Sequence, residues 1–238
     1  SLICTTDSYR FPNFYIQLNS LNLSMAFVLD QYNSIANHFL AELRDAKIQQ
    51  YSMRFRRNME RLGEIFAYEI SKTMNFVETE FETSLGTASV QVMNELPVLA
   101  TTLRAGLPLH QGLLNSFDRA DSAFISAYRK TTKGHNFIIK IEYISAPSLD
   151  GKILVMADPM IASGESMVLC CKELMAQYKI KDLHIVGVIA CKVGIEHIRA
   201  NLPKAKLWIG SVDEELTTKS YIVPGLGDAG DLAFGVKE

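Results

Sequence analysis

The sequence lacks a long apolar run. Its longest, Ile185–Cys191, is the size of a strand and falls well short of the roughly 18 residues that a membrane-spanning helix requires. An excess of charge is also missing, since 24 Lys and Arg stand against 26 Asp and Glu and leave a formal net charge of −2. A near-neutral chain has no overall basic field that would hold nucleic acid or lipid. We therefore expect neither a nucleic-acid partner nor a membrane partner.

Cysteine is scarce and poorly spaced for metal binding. The four cysteines lie at positions 4, 170, 171 and 191 without a CxxC pair, and the five histidines show neither HxH nor HExxH spacing. These patterns argue against a zinc site. Cys170 and Cys171 lie side by side on a predicted helix, so we expect two small buried side chains. Residues 1–24 show no signal-peptide pattern, and we expect a reducing, cytoplasmic compartment.

The N-terminal half shows helical periodicity and then strand alternation. From Asn33 the spacing predicts a helix with one apolar stripe, comprising Ile35, Phe39, Leu40 and Leu43. A longer helix from about Ser52 carries a second stripe, comprising Phe55, Met59, Leu62, Phe66 and Ile70. Residues 76–83 and 86–92 alternate around a turn and predict a hairpin with a solvated face. Residues 1–24 are interpreted as an extension or a cloning remnant before a single domain, 25–238.

The second half alternates strand and helix patterns. The predicted strands are Leu96–Thr101, Ala123–Ala127, Phe137–Ile144, Ile153–Ala157, Leu183–Ala190 and Leu207–Val212. Helices are predicted from Pro108, around residues 167–178 and at 194–202, and residues 131–136 are expected to form a polar loop. This order predicts a three-layer α/β fold with a mostly parallel sheet, elaborated by the N-terminal helices and the hairpin. Residues 213–238, rich in Gly and Pro, are expected to form an irregular lid.

A candidate phosphate loop follows the predicted strand Ile153–Ala157. Open α/β sheets bind ligands beyond the carboxyl ends of their strands, and this segment lies at such an end. A carboxylate at the strand end can accept hydrogen bonds from sugar hydroxyls, and a small-residue turn into a helix offers N–H groups to a phosphate. The segment therefore predicts a sugar-phosphate site, and an ordinary helix cap at Ser163 or Ser166 is the alternative. Its residues are Asp158, Pro159, Met160, Ile161, Ala162, Ser163, Gly164, Glu165 and Ser166.

Two arginines follow neighbouring strands of the predicted sheet. Arg104 lies beyond Leu96–Thr101 among small residues, and Arg129 lies just beyond Ala123–Ala127. A guanidinium fork suits the oxygens of pyrophosphate, so the pair predicts an anion site opposite the phosphate loop. The alternative for each is a surface arginine paired with a carboxylate.

Glycines cluster near the C-terminus in a segment that formally matches GxGxxG, Gly225–Gly230. Too few residues follow it to build a dinucleotide-binding βαβ unit. We instead expect its backbone amides to contact a flat ligand, with Asp228 facing the reacting centre, or else a loop without a ligand. A basic cluster of Arg54, Arg57 and Arg61 predicts a solvated or subunit-facing helix surface rather than an RNA site.

Taken in order, four segments of the chain resemble the uracil phosphoribosyltransferase family, within the type I phosphoribosyltransferase fold. They are Arg104–Leu107, Tyr128–Arg129, Asp158–Ser166 and Tyr221–Asp231, followed by the closing Phe234–Lys237. The resemblance implies transfer of the ribose 5-phosphate of phosphoribosyl pyrophosphate (PRPP) to N1 of uracil, giving UMP and pyrophosphate with Mg²⁺. It also implies a homo-oligomer, a dimer or higher.

The resemblance implies a role for each motif. Residues 158–166 would hold the ribose hydroxyls and the 5′-phosphate, while Arg104 and Arg129 would hold the pyrophosphate. The backbone at Ile222 and at Gly227, Asp228 and Ala229 would bind the uracil edge. Asp228 would also lie near PRPP and near a Mg²⁺ ion carried mainly by PRPP. By this resemblance, Asp228 and Arg104 are the expected catalytic residues.

The phosphate loop departs from the family pattern at two positions. Ser163 and Glu165 stand where the family usually has Thr and a small residue. Two alternative functions remain open from the sequence. One is a phosphoribosyltransferase-fold regulator that binds RNA in response to pyrimidines, and the other is a catalytically quiet paralogue.

Overall fold

A seven-stranded sheet organises the described part of the chain, in what is a computed structural model. It describes residues 26–131 and 137–237, and for residues 128–131 and 137–139 it describes the backbone alone. The predicted extension at residues 1–24 and nearly all of the predicted polar loop therefore lie outside the described residues.

The N-terminal elements comprise a short strand and two helices. Strand β1 (Ala26–Val28) pairs in parallel with residues 207–209 at one edge of the sheet. The sequence did not predict this strand, because three residues are too few to show an alternating pattern. Helices α1 (Ala36–Arg44) and α2 (Ser52–Ser71) follow. All five residues of the predicted α2 stripe are buried, which confirms that prediction. The stripe predicted for α1 was wrong at Ile35, which precedes the helix and is exposed.

The predicted hairpin is confirmed as β2 (Phe76–Thr83) and β3 (Gly86–Met93), an antiparallel pair outside the main sheet. Its expected solvated face is present, and the opposite face is largely exposed as well. Apolar side chains such as Phe76, Phe81 and Val90 stand partly in solvent there.

The central α/β region matches the predicted alternation. Its elements are β4 (Val98–Leu103), α3 (Leu107–Ser116), β5 (Ser122–Thr131), β6 (Phe137–Ser145), β7 (Ile153–Ile161), α4 (Glu165–Gln177), β8 (Asp182–Cys191), α5 (Lys192–Asn201) and β9 (Lys206–Asp213). The strand order is β1-β9-β8-β7-β4-β5-β6. Every neighbouring pair is parallel except β5 with β6. The mostly parallel α/β sheet is therefore confirmed.

Buried side chains lie on both faces of the sheet, as a three-layer fold requires. Leu99 and Val155 pack with α1, α2 and α3 on one face, whereas Ala100 and Leu154 pack with α4 and α5 on the other. Because successive residues of a strand point to opposite faces, strands buried on both sides read as continuous apolar runs. Cys170 and Cys171 are buried in the second layer as predicted, and burial raises the pKa of Cys170 to about 12.

The C-terminal segment has more regular structure than the irregular lid that was predicted. It forms a short hairpin from β10 (Glu215–Leu216) and β11 (Ile222–Val223), followed by helix α6 (Ala229–Phe234). The Asp228 carboxylate caps this helix by accepting a hydrogen bond from the Asp231 N–H at 3.0 Å. No helix within the described ranges has both the length and the apolarity needed to cross a membrane.

Candidate active site

A cavity of about 990 Å³ opens at the carboxyl ends of β4 and β7. Its lining includes nine of the residues predicted from the sequence: Arg104, Asp158, Met160, Ala162, Ser166, Ile222, Gly227, Asp228 and Ala229. The turn after β4, the start of α4 and the C-terminal segment therefore converge where the sheet predicts a ligand site. Segments separated by more than a hundred residues in sequence form one cavity.

The candidate phosphate loop is shorter than predicted. Strand β7 runs on to Ile161 because β8 continues to pair with it through Met160 and Ile161. Strand alternation then turns Asp158, Met160 and Ala162 toward the cavity, while Pro159 and Ile161 are buried away from it. The expectation that residues 158–166 all lie in a loop was therefore wrong, and the turn into α4 is limited to Ala162–Gly164.

Gly164 makes this turn, and a side chain there has no room. It has φ of +77°, and a Cβ atom would lie 2.6 Å from the carbonyl oxygen of Gly194 at the start of α5. Neither Ser163 nor Ser166 caps α4 with its side chain, so the cap interpretation is wrong for both. The first turn of α4 leaves N–H groups without intrahelical partners, as an anion site at a helix N-terminus needs. Ser163, Gly164 and the exposed Glu165 lie outside the cavity lining.

Asp158 lies in the cavity lining at the end of β7, with its carboxylate held from two sides. One oxygen accepts a hydrogen bond from the Thr102 hydroxyl on β4, and the other accepts from the Met160 N–H at 3.0 Å. Burial raises the pKa of Asp158, and the two hydrogen bonds oppose that rise in part. The sequence analysis assigned no role to Thr102. A polar residue near the carboxyl end of a buried strand could have indicated that it belongs to the site.

Arg104 is bound to the C-terminal segment in this structure. Its Nη2 donates to Asp231 Oδ1 at 2.8 Å and to the Gly235 carbonyl at 2.6 Å, and its Nη1 donates to the Phe234 carbonyl at 3.4 Å. The alternative of an arginine paired with a carboxylate is thus present, although Arg104 also lines the cavity. Its buried Nε has no hydrogen-bond partner among the described residues.

The second predicted arginine, Arg129, lies on β5 rather than after it, because β5 extends to Thr131. The structure describes only the backbone of Arg129. Ala127, two residues earlier on the same strand, lines the cavity.

The predicted base-binding residues lie together at the cavity. Ile222 lies on β11, and Gly227, Asp228 and Ala229 lead into α6. The carboxylate of Asp228 caps α6 through one oxygen, so its position is fixed while it borders the cavity. Gly227 has φ of +92°, which an L-residue rarely adopts. The backbone at Gly227 thus borders the cavity, and its contact with a flat ligand stays a prediction.

Several cavity residues were given no role from the sequence, although Tyr221 and Lys237 belong to the segments that resemble the family. Thr218, Lys219, Ser220 and Tyr221 line it from the turn between β10 and β11, and Lys237 lines it from the C-terminus. Arg56 of α2 supports α6 from outside by donating to the Ala233 carbonyl at 2.6 Å. Long-range contacts of this kind depend on the fold, so local sequence patterns do not reveal them.

Two of the three arginines in the basic cluster on α2 are paired with carboxylates. Arg54 forms a two-point contact with Glu42 at 2.7 and 2.8 Å, and this contact lowers the pKa of Glu42 to about 2. Arg57 contacts Glu60 at 2.5 Å, and Arg61 donates to Asn58 and lies over the Phe39 ring. Carboxylates thus compensate the charges of Arg54 and Arg57, which weakens the case for an RNA-binding surface here.

Comparisons with known proteins agree with this geometry. The family model for uracil phosphoribosyltransferase matches residues 31–236. A uracil phosphoribosyltransferase of Porphyromonas gingivalis is 48% identical over 206 residues, covering 86% of this chain and 95% of the relative. One of Thermococcus gammatolerans is 40% identical, covering 82% and 87%. The solved structure of the AQ2163 protein from Aquifex aeolicus superposes with a TM-score of 0.78 at 28% identity, covering 88% of this chain and 99% of that one. The chain belongs to the uracil phosphoribosyltransferase family.

Proposed function

We propose that this protein transfers the ribose 5-phosphate group of PRPP to N1 of uracil, giving UMP and pyrophosphate. The observation that carries the proposal is the convergence of three features on one cavity. These are the carboxylate of Asp158 beside the α4 N-terminus, the guanidinium of Arg104, and the backbone edge from Ile222 to Ala229. Each feature matches one part of the two substrates.

The reaction exchanges two bonds at one carbon. The bond between ribose C1 and the pyrophosphate oxygen breaks, and its electron pair leaves with pyrophosphate. A bond forms between C1 and uracil N1, and the N1 proton passes to a carboxylate or to the pyrophosphate. Because the ribose is oxocarbenium-like during transfer, catalysis depends on charge stabilisation and in-line positioning.

The 5′-phosphoribosyl group fits the end of β7 and the start of α4. We assign the ribose hydroxyls to Asp158, whose orientation is fixed by Thr102 and by the Met160 N–H. The 5′-phosphate is assigned to the N–H groups at the start of α4, where the helix dipole favours an anion. Four of the nine residues that the sequence assigned to PRPP at this segment line the cavity and keep that assignment: Asp158, Met160, Ala162 and Ser166. Ser163 and Gly164 do not line it, and we assign only their backbone N–H groups to the phosphate.

The leaving pyrophosphate is assigned to Arg104 and Arg129. The buried Nε of Arg104 lacks an acceptor among the described atoms, and a phosphate oxygen would supply one. A guanidinium that is already held by Asp231 and by the Gly235 carbonyl is also pre-oriented, so less freedom is lost when the anion binds.

The base is assigned to the backbone at Ile222 and at Gly227–Ala229. Uracil presents an acceptor, a donor and an acceptor along one edge, and backbone amides and carbonyls can match that order. A buried polar edge rejects the wrong base because its groups would be left unpaired. Asp228 lies at the same place and would face the reacting centre.

Mg²⁺ fits this site as an ion carried by the pyrophosphate. Within residues 26–131 and 137–237, no group of three or more His, Cys, Asp or Glu side chains could hold a metal ion. Mg²⁺ commonly binds through one or two carboxylates together with substrate phosphates, and Asp228 is the carboxylate we assign to it. When bound, the ion would neutralise charge that develops on the leaving group.

The homo-oligomer and the cytoplasmic location stay predictions. The RNA-binding alternative is weakened because Arg54 and Arg57 of the basic cluster are paired with carboxylates. The proposal is tested by incubating the purified protein with PRPP, Mg²⁺ and uracil and quantifying UMP and pyrophosphate. We expect the two products in equal amounts and a loss of both on chelation of the metal. Absence of UMP under these conditions would identify the protein as a catalytically quiet member.

A further inference from the structure

The loop that carries the proposed base edge is held from outside the cavity at Gly225. The Gly225 N–H donates to Asp213 Oδ2 at 2.9 Å, and the Gly225 carbonyl accepts from Arg44 Nη1 at 3.0 Å. Both backbone groups of one residue are thus satisfied by two side chains from different elements, the end of β9 and the end of α1. Neither side chain lines the cavity.

Arg44 and Asp213 form a two-point ion pair that fixes the position of both. Arg44 Nη1 and Nη2 donate to the two Asp213 oxygens at 2.8 Å each, and Nη2 also donates to Ser211 Oγ at 2.9 Å. The Asp213 side chain is only 6% exposed. A fork-to-fork pair in which both terminal nitrogens of Arg44 make a second hydrogen bond is geometrically specific, which an isolated surface ion pair is not.

The turn at Gly225 transmits this position to the base edge. Gly225 has φ of +56°, and a Cβ atom there would lie 2.2 Å from the carbonyl oxygen of Ile222. The backbone of Ile222 is therefore packed against that of Gly225, and Gly227 follows two residues later. A displacement of Gly225 must move the residues on both sides, because a close-packed turn has no slack to absorb it.

A second contact from the same region supports the loop. With the Gln49 amide oriented so that its nitrogen faces two carbonyls, it donates to Leu43 at 3.0 Å and to Leu226 at 2.8 Å. Leu43 precedes Arg44 at the end of α1, so the end of this helix holds two successive residues of the loop, Gly225 and Leu226.

We propose that Arg44 and Asp213 are positioning residues that set the location of the uracil-binding backbone and thereby the affinity for the base. They act through Gly225 and touch no substrate. The inference rests on the proposed function for the identity of the ligand, whereas the contacts themselves belong to the chain alone.

The test compares Asp213→Asn and Arg44→Lys with the wild type. Asparagine removes the charge and one acceptor, and lysine removes the fork, so both variants loosen Gly225. We expect the KM for uracil to rise about tenfold, because small displacements of positioning groups are costly, while the KM for PRPP stays within about twofold. Arg54→Lys is the matched control: it alters a two-point pair between α2 and α1 that does not contact the loop, and its two KM values should not change.

Hydrogen–deuterium exchange of the backbone at residues 222–228 gives a readout that needs no catalysis. Faster exchange is expected in both loop variants and not in Arg54→Lys. If those variants fold poorly, Ser211→Ala takes their place, because it removes one hydrogen bond of Arg44 without leaving an unpaired buried charge. We expect it to speed exchange at residues 222–228 by a smaller factor.

Two outcomes would overturn the inference. One is an equal rise of both KM values, which indicates general loss of structure; the other is unchanged exchange together with an unchanged KM for uracil. If the wild type forms no UMP, the proposed function fails independently, and the exchange experiment still decides whether Arg44 and Asp213 hold the loop.

Discussion

Arg104 connects the proposed pyrophosphate site to the C-terminal segment. It lines the cavity while it donates to Asp231 and to the carbonyl of Gly235, so one guanidinium links the turn after β4 to α6 and the tail. At the residue scale, its contribution should therefore include both the charge offered to the leaving group and the fixed position of the helix that bears Asp228.

Replacing Arg104 by alanine should lower kcat/KM strongly. Loss of a charge-assisted pair where the leaving charge develops costs about 2–4 kcal/mol of transition-state stabilisation, or roughly 30- to 1,000-fold in rate. Arg104→Lys should recover only part of this, since lysine lacks the planar fork. Steady-state kinetics with varied PRPP measure the effect, and a kcat/KM near wild type for the alanine variant would leave Arg104 with a structural role alone.

Asp228 allows a cleaner separation of chemistry from stability. Asparagine caps a helix about as well as aspartate, so Asp228→Asn should preserve the hydrogen bond from the Asp231 N–H and change the melting temperature little. The same change removes the negative charge beside the proposed reacting centre, and we expect kcat to fall by a much larger factor. Parallel kinetics and thermal unfolding test this. Equal losses in both would indicate that Asp228 serves only the fold of the segment.

At the scale of elements, the pairing of β8 with β9 contains a buried polar contact. The Trp208 Nε1–H donates to His184 Nδ1 at 3.1 Å, and the two rings stack with centroids 5.9 Å apart. Burial, together with the nearby Lys206 ammonium, lowers the pKa of His184 to about 4. The imidazole is therefore held neutral, with Nδ1 as the acceptor.

This contact predicts a loss of stability in mild acid. The folded pKa of about 4 lies below the ordinary value of 6.5, so the unfolded chain binds the additional proton as the pH falls. The stabilisation is complete above about pH 6.5 and declines as the pH falls to about 4. Melting temperatures across that range should fall less in His184→Gln than in the wild type, with the exposed His38→Gln as control. The same slope in all three proteins would contradict this role for His184.

The sequence predicted those elements whose signals are local. The α2 stripe is buried as expected from Phe55 to Ile70, and the hairpin turns where the alternation breaks. The end of β7 was misjudged because Asp158 and Pro159 suggest a loop, whereas the ladder with β8 continues through Ile161. The three residues of β1 are too short to show a period, and their pairing with β9 depends on the fold.

At the scale of the whole molecule, the parallel sheet brings the carboxyl ends of β4 and β7 to one edge, and the C-terminal segment covers them. Most of the candidate site could be predicted because its residues follow strands or form glycine-rich turns. Arg44 and Asp213 could not, since their significance depends on a contact between the first helix and the end of β9. Likewise, the pairing of Arg54 with Glu42 depends on how α1 packs against α2.

The proposed function is the transfer of the ribose 5-phosphate of PRPP to one pyrimidine base at this cavity. Its most direct test offers the protein PRPP and Mg²⁺ with an equimolar mixture of uracil, adenine, guanine and hypoxanthine, followed by separation of the nucleotides. We expect UMP to be the dominant product, because the proposed base-binding backbone from Ile222 to Ala229 would leave polar groups unpaired against the other bases. Efficient formation of any purine nucleotide would contradict it.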